Sequence, residues 1–285
     1  MRHLGSPKGV HGGMSWGSVQ SAEQAAFRFA ASLLVLDDVV ASTATQEEPR
    51  LYAYHQSLLG MVGDDELLID LEDVVGCQNW VVMQIGEIAV LDAWKQRGKK
   101  EGDLDVMELV YRGARIKEVL EERLVILVNE HVKPMKETMG LLDIFGDGYG
   151  TQSTTATVQS IIVTRVWAHA AFLYLHVVVC GWQPSDVETR YHVSQTIDLI
   201  SNLSPPALAR TVVWPFCVAG YFAEVSQESH FRQIVQGLQP SALFGSVHSA
   251  FKIMEEVWRN RDSGDSADRD LAACFRGLGE MALLV

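Results

Sequence analysis

The chain has 285 residues and 48% hydrophobic content, enough apolar material for a substantial core and too much for a disordered chain. With 23 Lys and Arg against 36 Asp and Glu its net charge is −13, which argues against a duplex-binding surface in this chain. Non-specific affinity for nucleic acid comes from Lys and Arg displacing counterions, and an acidic body repels phosphate.

Residues 1–20 read as an aperiodic lead-in with no apolar run of the signal-peptide kind. Ser21 is a good N-cap with Glu23 in the first turn, and Phe27, Ala30, Ala31, Leu34 and Val35 recur at helical spacing in a helix ending near Thr45. Asp64 and Asp65 open a second expected helix through Leu67, Leu68 and Leu71. After Gly76, Val81, Ile85 and Ile88 mark the stripe of an amphipathic helix edged by Trp80 and Trp94. Gly86 inside it predicts close approach by a neighbouring helix, and Gln96 to Gly102 is expected to break the pattern.

Asp105 with Glu108 three residues on is a capping-box start. Ile116, Leu120, Leu124 and Leu127 then line one face of a helix ending before Pro134, with Lys117 and Glu121 as an exposed pair. Gly140 to Thr155 is the predicted linker. From about Thr157 to Cys180 the chain is apolar enough to pose the membrane question, and a buried core helix is the expected answer. A helix to Ile200 follows Pro184-Ser185-Asp186, and Ser204-Pro205-Pro206 starts another. Further helices are expected over Phe231–Leu238, Ala242–Trp258 and Asp268–Leu284. With no period-two run, the fold class is all-α, roughly ten helices in a single compact array, with two lobes joined near 140–155.

Chemistry-bearing patterns are sparse. Asp37-Asp38 suggests a magnesium-binding pair of the isoprenoid-synthase kind, but Ala41 stands where a third aspartate is wanted. Asn129 and Glu137, with Lys133 between them, make a poor second motif. His169, His176 and Cys180 share a helix face of zinc-ligand type, without a carboxylate nearby in sequence to orient them. Gly146, Gly148 and Gly150 lack the strand and the Gly-Lys-Ser/Thr of a phosphate loop. The four cysteines show no C-x-x-C spacing, and a reducing compartment is expected. No catalytic, cofactor or metal residue is assigned. Trp214-Pro215 inside the helix from Pro205 predicts a kink that frees the Thr211 carbonyl. Thr211, Trp214, Pro215, Gly220 and Phe222 are the candidate border of a small-ligand pocket.

Val213-Trp214-Pro215-Phe216 through Ala219-Gly220 and Glu224 resembles the Trp-Pro…Ala-Gly signature of the fungal-specific transcription factor domain, the regulatory region of Zn(II)2Cys6 binuclear-cluster factors. Other stretches agree in order: Asp37 with Ser42-Thr43 and Pro49; Gly76-Cys77 to Trp94-Lys95; Glu255-Glu256-Val257-Trp258; and Gly279 to Val285. His230 departs from the usual arginine, although Arg232 is near. The six-cysteine cluster is absent, so zinc is implied only with a cluster upstream of this chain. The resemblance covers residues 21–285. It implies an all-helical nuclear module that regulates transcription through contacts with the transcription machinery or other regulators, a homodimer and a small ligand among them. The net charge, the core-helix reading of the apolar stretch and the missing motifs lead to the expectation of no direct nucleic-acid contact from this chain, no membrane and no enzymatic activity. Two alternatives stay open: an all-α magnesium-dependent isoprenoid-type enzyme using Asp37 and Asp38, and a non-nuclear helical scaffold.

Overall fold

Ten α-helices follow one another along the described residues: α1 Ala22–Thr45, α2 Tyr52–Leu59, α3 Glu72–Val75, α4 Asn79–Glu101, α5 Val106–Val132, α6 Tyr149–Cys180, α7 Val187–Ser201, α8 Val213–Phe222, α9 Val225–Gly237 and α10 Gly245–Arg259. Short 3-10 helices at Pro206–Val212 and Ser241–Phe244 lead into α8 and α10. The structure, a computed structural model, describes residues 22–62, 66–132, 149–261 and 272. The expected lead-in, Asp64 and Asp65, Lys133 and Glu137, most of the expected linker and the expected helix Asp268–Leu284 lie outside them, apart from Ala272.

Helix α6 is the axis of the fold. It packs against α4, α5, α7 and α8, and its residues Val163, Val166 to Ala168, and Ala170 to Leu175 are all buried. A helix enclosed on every side has no polar face to present, which is why its sequence is apolar all round. By length and composition Thr157–Cys180 is able to cross a membrane, yet 78% of its most apolar window is buried inside the protein. The apolarity is that of a core helix.

The predicted stripes of α4 and α5 are borne out. Val81, Ile85 and Ile88 are fully buried with Trp80 and Trp94 half-buried at the edges, and Leu120 and Leu127 are buried with Ile116 and Leu124 packed on them. Gly86 does admit a neighbour: a methyl there would lie 3.0 Å from Nδ1 of His55 on α2. Two helix starts also match. The Asp105 carboxylate accepts the Glu108 N–H at 3.0 Å, and Asp186 caps α7 by accepting from Glu188 and Thr189 at 2.9 and 3.2 Å.

Other expectations are corrected. In α1 the expected stripe holds only in part: Val35 is buried and Ala31 packs on the core, but Phe27, Ala30 and Leu34 are exposed, and Leu36, Val39 and Val40 complete the buried face. The helix expected from Asp64 to Leu71 is a short antiparallel ladder, Met61–Val62 on Glu66–Leu67, followed by irregular chain and α3. Buried Asn79 holds that segment away from helix geometry, since its Oδ1 accepts the Leu71 N–H and its Nδ2 donates to the Leu59 and Ile69 carbonyls. Gln96 to Gly102 does not break α4, which runs to Glu101 and stops at Gly102. Helix α6 begins at Tyr149, taking up the last part of the expected linker, and α9 begins at Val225 rather than Phe231.

Candidate functional site

The stretch Thr211–Phe222 occupies the centre of the second half of the fold. The continuous helix expected from Pro205 is instead a 3-10 helix ending at Val212 and a separate α8 beginning at Val213. Pro215 therefore sits in the first turn of α8, where N–H groups have no intrahelical acceptor and its missing donor costs nothing. The predicted mid-helix kink is a helix start. The Thr211 carbonyl is not left free either, because it accepts the Trp167 indole N–H at 2.9 Å.

Around this junction the indoles act as struts. Trp214 stacks on Trp167 with centroids 5.4 Å apart and rings 17° from parallel, and its own N–H donates to Thr43 Oγ1 of α1 at 3.0 Å. Tyr174 meets Trp214 edge-on at 6.3 Å and reaches the Asp92 carboxylate of α4 at 3.4 Å. At the other end of α8, Trp258 of α10 donates to the Gly220 carbonyl at 2.8 Å. Gly220 lies so close to Met254 that a methyl there would fall 1.9 Å from its Cε. Glu228 binds Arg232 at 3.1 Å and Arg261 at 3.3 Å, while Arg261 also donates to the Ala223 carbonyl at 2.6 Å. Thus α8 is tied to α1 and α10 by hydrogen bonds and to α6 by indole stacking.

Of the five candidate pocket residues, Trp214, Pro215, Gly220 and Phe222 are buried and Thr211 is half-buried. They are brought together, but in close-packed surroundings. Two of the concavities on the surface lie elsewhere. One, of about 310 Å³, is lined by Ile200, Leu203, Pro206, His230 and Ile234 among others, which places the unusual His230 at its edge. The other, of about 370 Å³, runs between α1 and residues 46–51 and includes Leu34, Asp37, Asp38, Glu47 and Glu48.

The aspartate pair is built differently from a diphosphate site. Both oxygens of Asp38 accept backbone N–H groups, from Arg50 at 3.0 Å and Leu51 at 2.8 Å, so this side chain caps the approach to α2. Asp37 is half-buried, and desolvation raises its pKa. Asn129 is exposed near the end of α5. Of the glycine triplet, Gly150 lies in α6, and Gly146 and Gly148 lie outside the described residues.

His169, His176 and Cys180 do not converge on one point. His169 turns to α7, its Nδ1 2.9 Å from His192 Nδ1, so one ring donates and the other accepts. Burial, first, and then the neighbouring His192 and Arg165 charges push His169 down to about 3; burial chiefly pushes His192 down to about 4. Both imidazoles are neutral core groups at ordinary pH. His176 instead faces Asp186 and Glu188, carboxylates that the turn through Gly181 (φ 83°) returns to it. Sequence reasoning missed them because they follow the turn.

Among the described residues, the outer surface carries exposed apolar groups. Val106, Met107, Val110 and Tyr111 are exposed at the start of α5, and Phe27, Phe29 and Leu34 along α1.

The model of the fungal-specific transcription factor domain matches residues 3–277. The chain is 37% identical over 93% of its length to the transcription factor dibT of Pestalotiopsis microspora, of which it covers 42%. It is 31% identical over 85% of its length to the ustiloxin B cluster transcription factor of Aspergillus flavus, covering 39% of that protein. It is 29% identical over 70% of its length to a trichothecene biosynthesis transcription regulator of Trichoderma arundinaceum, covering 41%. The chain spans about two fifths of the length of these relatives. No solved structure matches it.

Proposed function

This chain belongs to the family of fungal-specific transcription factor domains, and from that premise we propose that it is the regulatory region of a zinc-cluster transcription factor governing a fungal biosynthetic gene cluster. The observation that carries the reading is the family match from residue 3 to 277, joined by relatives named as transcription factors, one of a ustiloxin B cluster and one a regulator of trichothecene biosynthesis. The chain acts in the nucleus, catalyses no reaction, and leaves promoter contact and cluster zinc to residues outside it. Its acidity suits contact with basic or neutral proteins rather than phosphate.

Transcription machinery, other regulators or a second copy dock on exposed helix faces, chiefly the Met107–Tyr111 end of α5 and the Phe27–Leu34 edge of α1. A small effector acts at the Thr211–Phe222 junction by separating groups now in contact. The movable elements there are Met254 over Gly220 and the Trp167–Trp214 stack.

The test is a fusion of the chain to a heterologous DNA-binding domain upstream of a reporter. The expected result is a change in transcription, up or down, that Tyr111→Glu abolishes. A fusion that is expressed and nuclear but leaves the reporter unchanged would count against the reading. Imaging of the tagged protein separates it from a cytoplasmic scaffold, which persistent nuclear exclusion would favour.

A further inference from the structure

We propose that the corner between α6 and α7 is a binding site for a divalent cation of the zinc class, with His176, Asp186 and Glu188 as its protein ligands. The three side chains each offer a donor atom, and these atoms all lie within 4.8 Å of one another. Their convergence comes from the backbone. Gly181, in the left-handed region at φ 83°, reverses the chain after α6, and Asp186 and Glu188 then open α7 beside His176.

The carboxylates already have partners. Asp186 Oδ2 accepts the Glu188 and Thr189 N–H groups at the start of α7, and Glu188 Oε1 meets Lys117 Nζ at 2.5 Å. The imidazole supplies an independent sign. Nε2 of His176 is closed to solvent and has no hydrogen-bond partner among the described residues. Leaving such a group unsatisfied costs about 1–3 kcal/mol, and at native sites it calls for an explanation such as an ion.

One imidazole and two carboxylates form a donor set suited to zinc rather than magnesium or calcium, which prefer oxygen throughout. Tetrahedral zinc with bonds of about 2.0–2.2 Å sets neighbouring ligand atoms about 3.4 Å apart, so any pair standing at the 4.8 Å limit draws in by about an ångström on binding. Rotation of the half-exposed Glu188 side chain supplies that movement. Lys117 is the competitor, since its ammonium already neutralises the Glu188 carboxylate and repels a cation placed beside it. A bound ion would pin the end of α6 to the first turn of α7, the most extensively packed helix pair in the fold. Cys180, one turn beyond His176 along α6, is not among the three converging side chains.

The test is calorimetric titration of the tag-free, chelator-treated chain with zinc chloride, alongside its thermal midpoint. The expected result is one equivalent bound with a raised midpoint. Asp186→Asn, which keeps a good N-cap, and His176→Gln should each weaken binding at least about tenfold. His169→Gln should not alter it, and Lys117→Met should tighten it severalfold. Cobalt substitution adds a spectroscopic reading of the ligand set. No saturable binding overturns the proposal, as does binding that folded Asp186→Asn leaves unchanged or that Lys117→Met weakens.

Discussion

Gly220→Ala separates helix propensity from packing, because the two give opposite signs. In a helix interior, replacing glycine by alanine stabilises by about 0.5–1 kcal/mol through chain entropy alone. At Gly220 the added methyl would lie 1.9 Å from Met254 Cε, 2.6 Å from its Sδ and 2.8 Å from its Cγ. Met254 is fully buried, so its thioether has little room to retreat. Overpacking of this kind costs about 1–3 kcal/mol, and displacing α10 strains the Trp258 bond to the Gly220 carbonyl by up to about 1 kcal/mol more. The net expectation is a loss of about 1–3 kcal/mol, measured as a lowered urea midpoint by circular dichroism. Met254→Ala alone should cost about 2–5 kcal/mol as a cavity. The double variant should cost less than the sum, with a coupling of about 1 kcal/mol or more. A higher midpoint for Gly220→Ala, or strict additivity, would refute the close contact.

Asp38→Ala should lose about 1–2 kcal/mol by stripping the Arg50 and Leu51 N–H groups of their acceptor, with faster hydrogen exchange at those two amides as the local readout. Because His169 and His192 are depressed to about 3 and about 4 in the folded chain, the unfolded chain binds protons that the folded one refuses below about 6.5. Stability is therefore complete above pH 6.5 and declines as pH falls toward 3 to 4, and His169→Gln should flatten that slope in urea titrations across the window. On α5, Val110→Glu should lower reporter output while leaving the thermal midpoint within about a degree, since surface changes stay within about 0.5 kcal/mol. An equal loss of stability would assign the residue to the core instead.

What was legible in the sequence was local. Asp105 and Asp186 announced helix starts because an N-cap works within three residues, and the stripes of α4 and α5 followed from spacing alone. The start of α9 is legible too, since Glu224 and Gln227 form a reciprocal capping box, although the apolar spacing alone points to a later start at Phe231. The irregular segment before α3 was not readable, because Asn79, from the following helix, supplies its hydrogen bonds. The aspartate pair misled for a similar reason: the partners of Asp38 lie a dozen residues downstream. The family signature was read correctly as a marker, and its kink wrongly. Pro215 is in a first turn only because the preceding residues wind as a 3-10 helix.

The placement of α6 sets how this protein can fail. Helices from both halves of the chain, α4 and α5 before it and α7 and α8 after it, use the same rod as their common wall. A nonsense or frameshift allele falling after Cys180 keeps α6 but loses α7 and α8, and would strand a long greasy helix without half its cover. Such a product is a client for chaperones and proteolysis rather than a dominant-negative fragment, so partial losses within the region should behave genetically as complete ones.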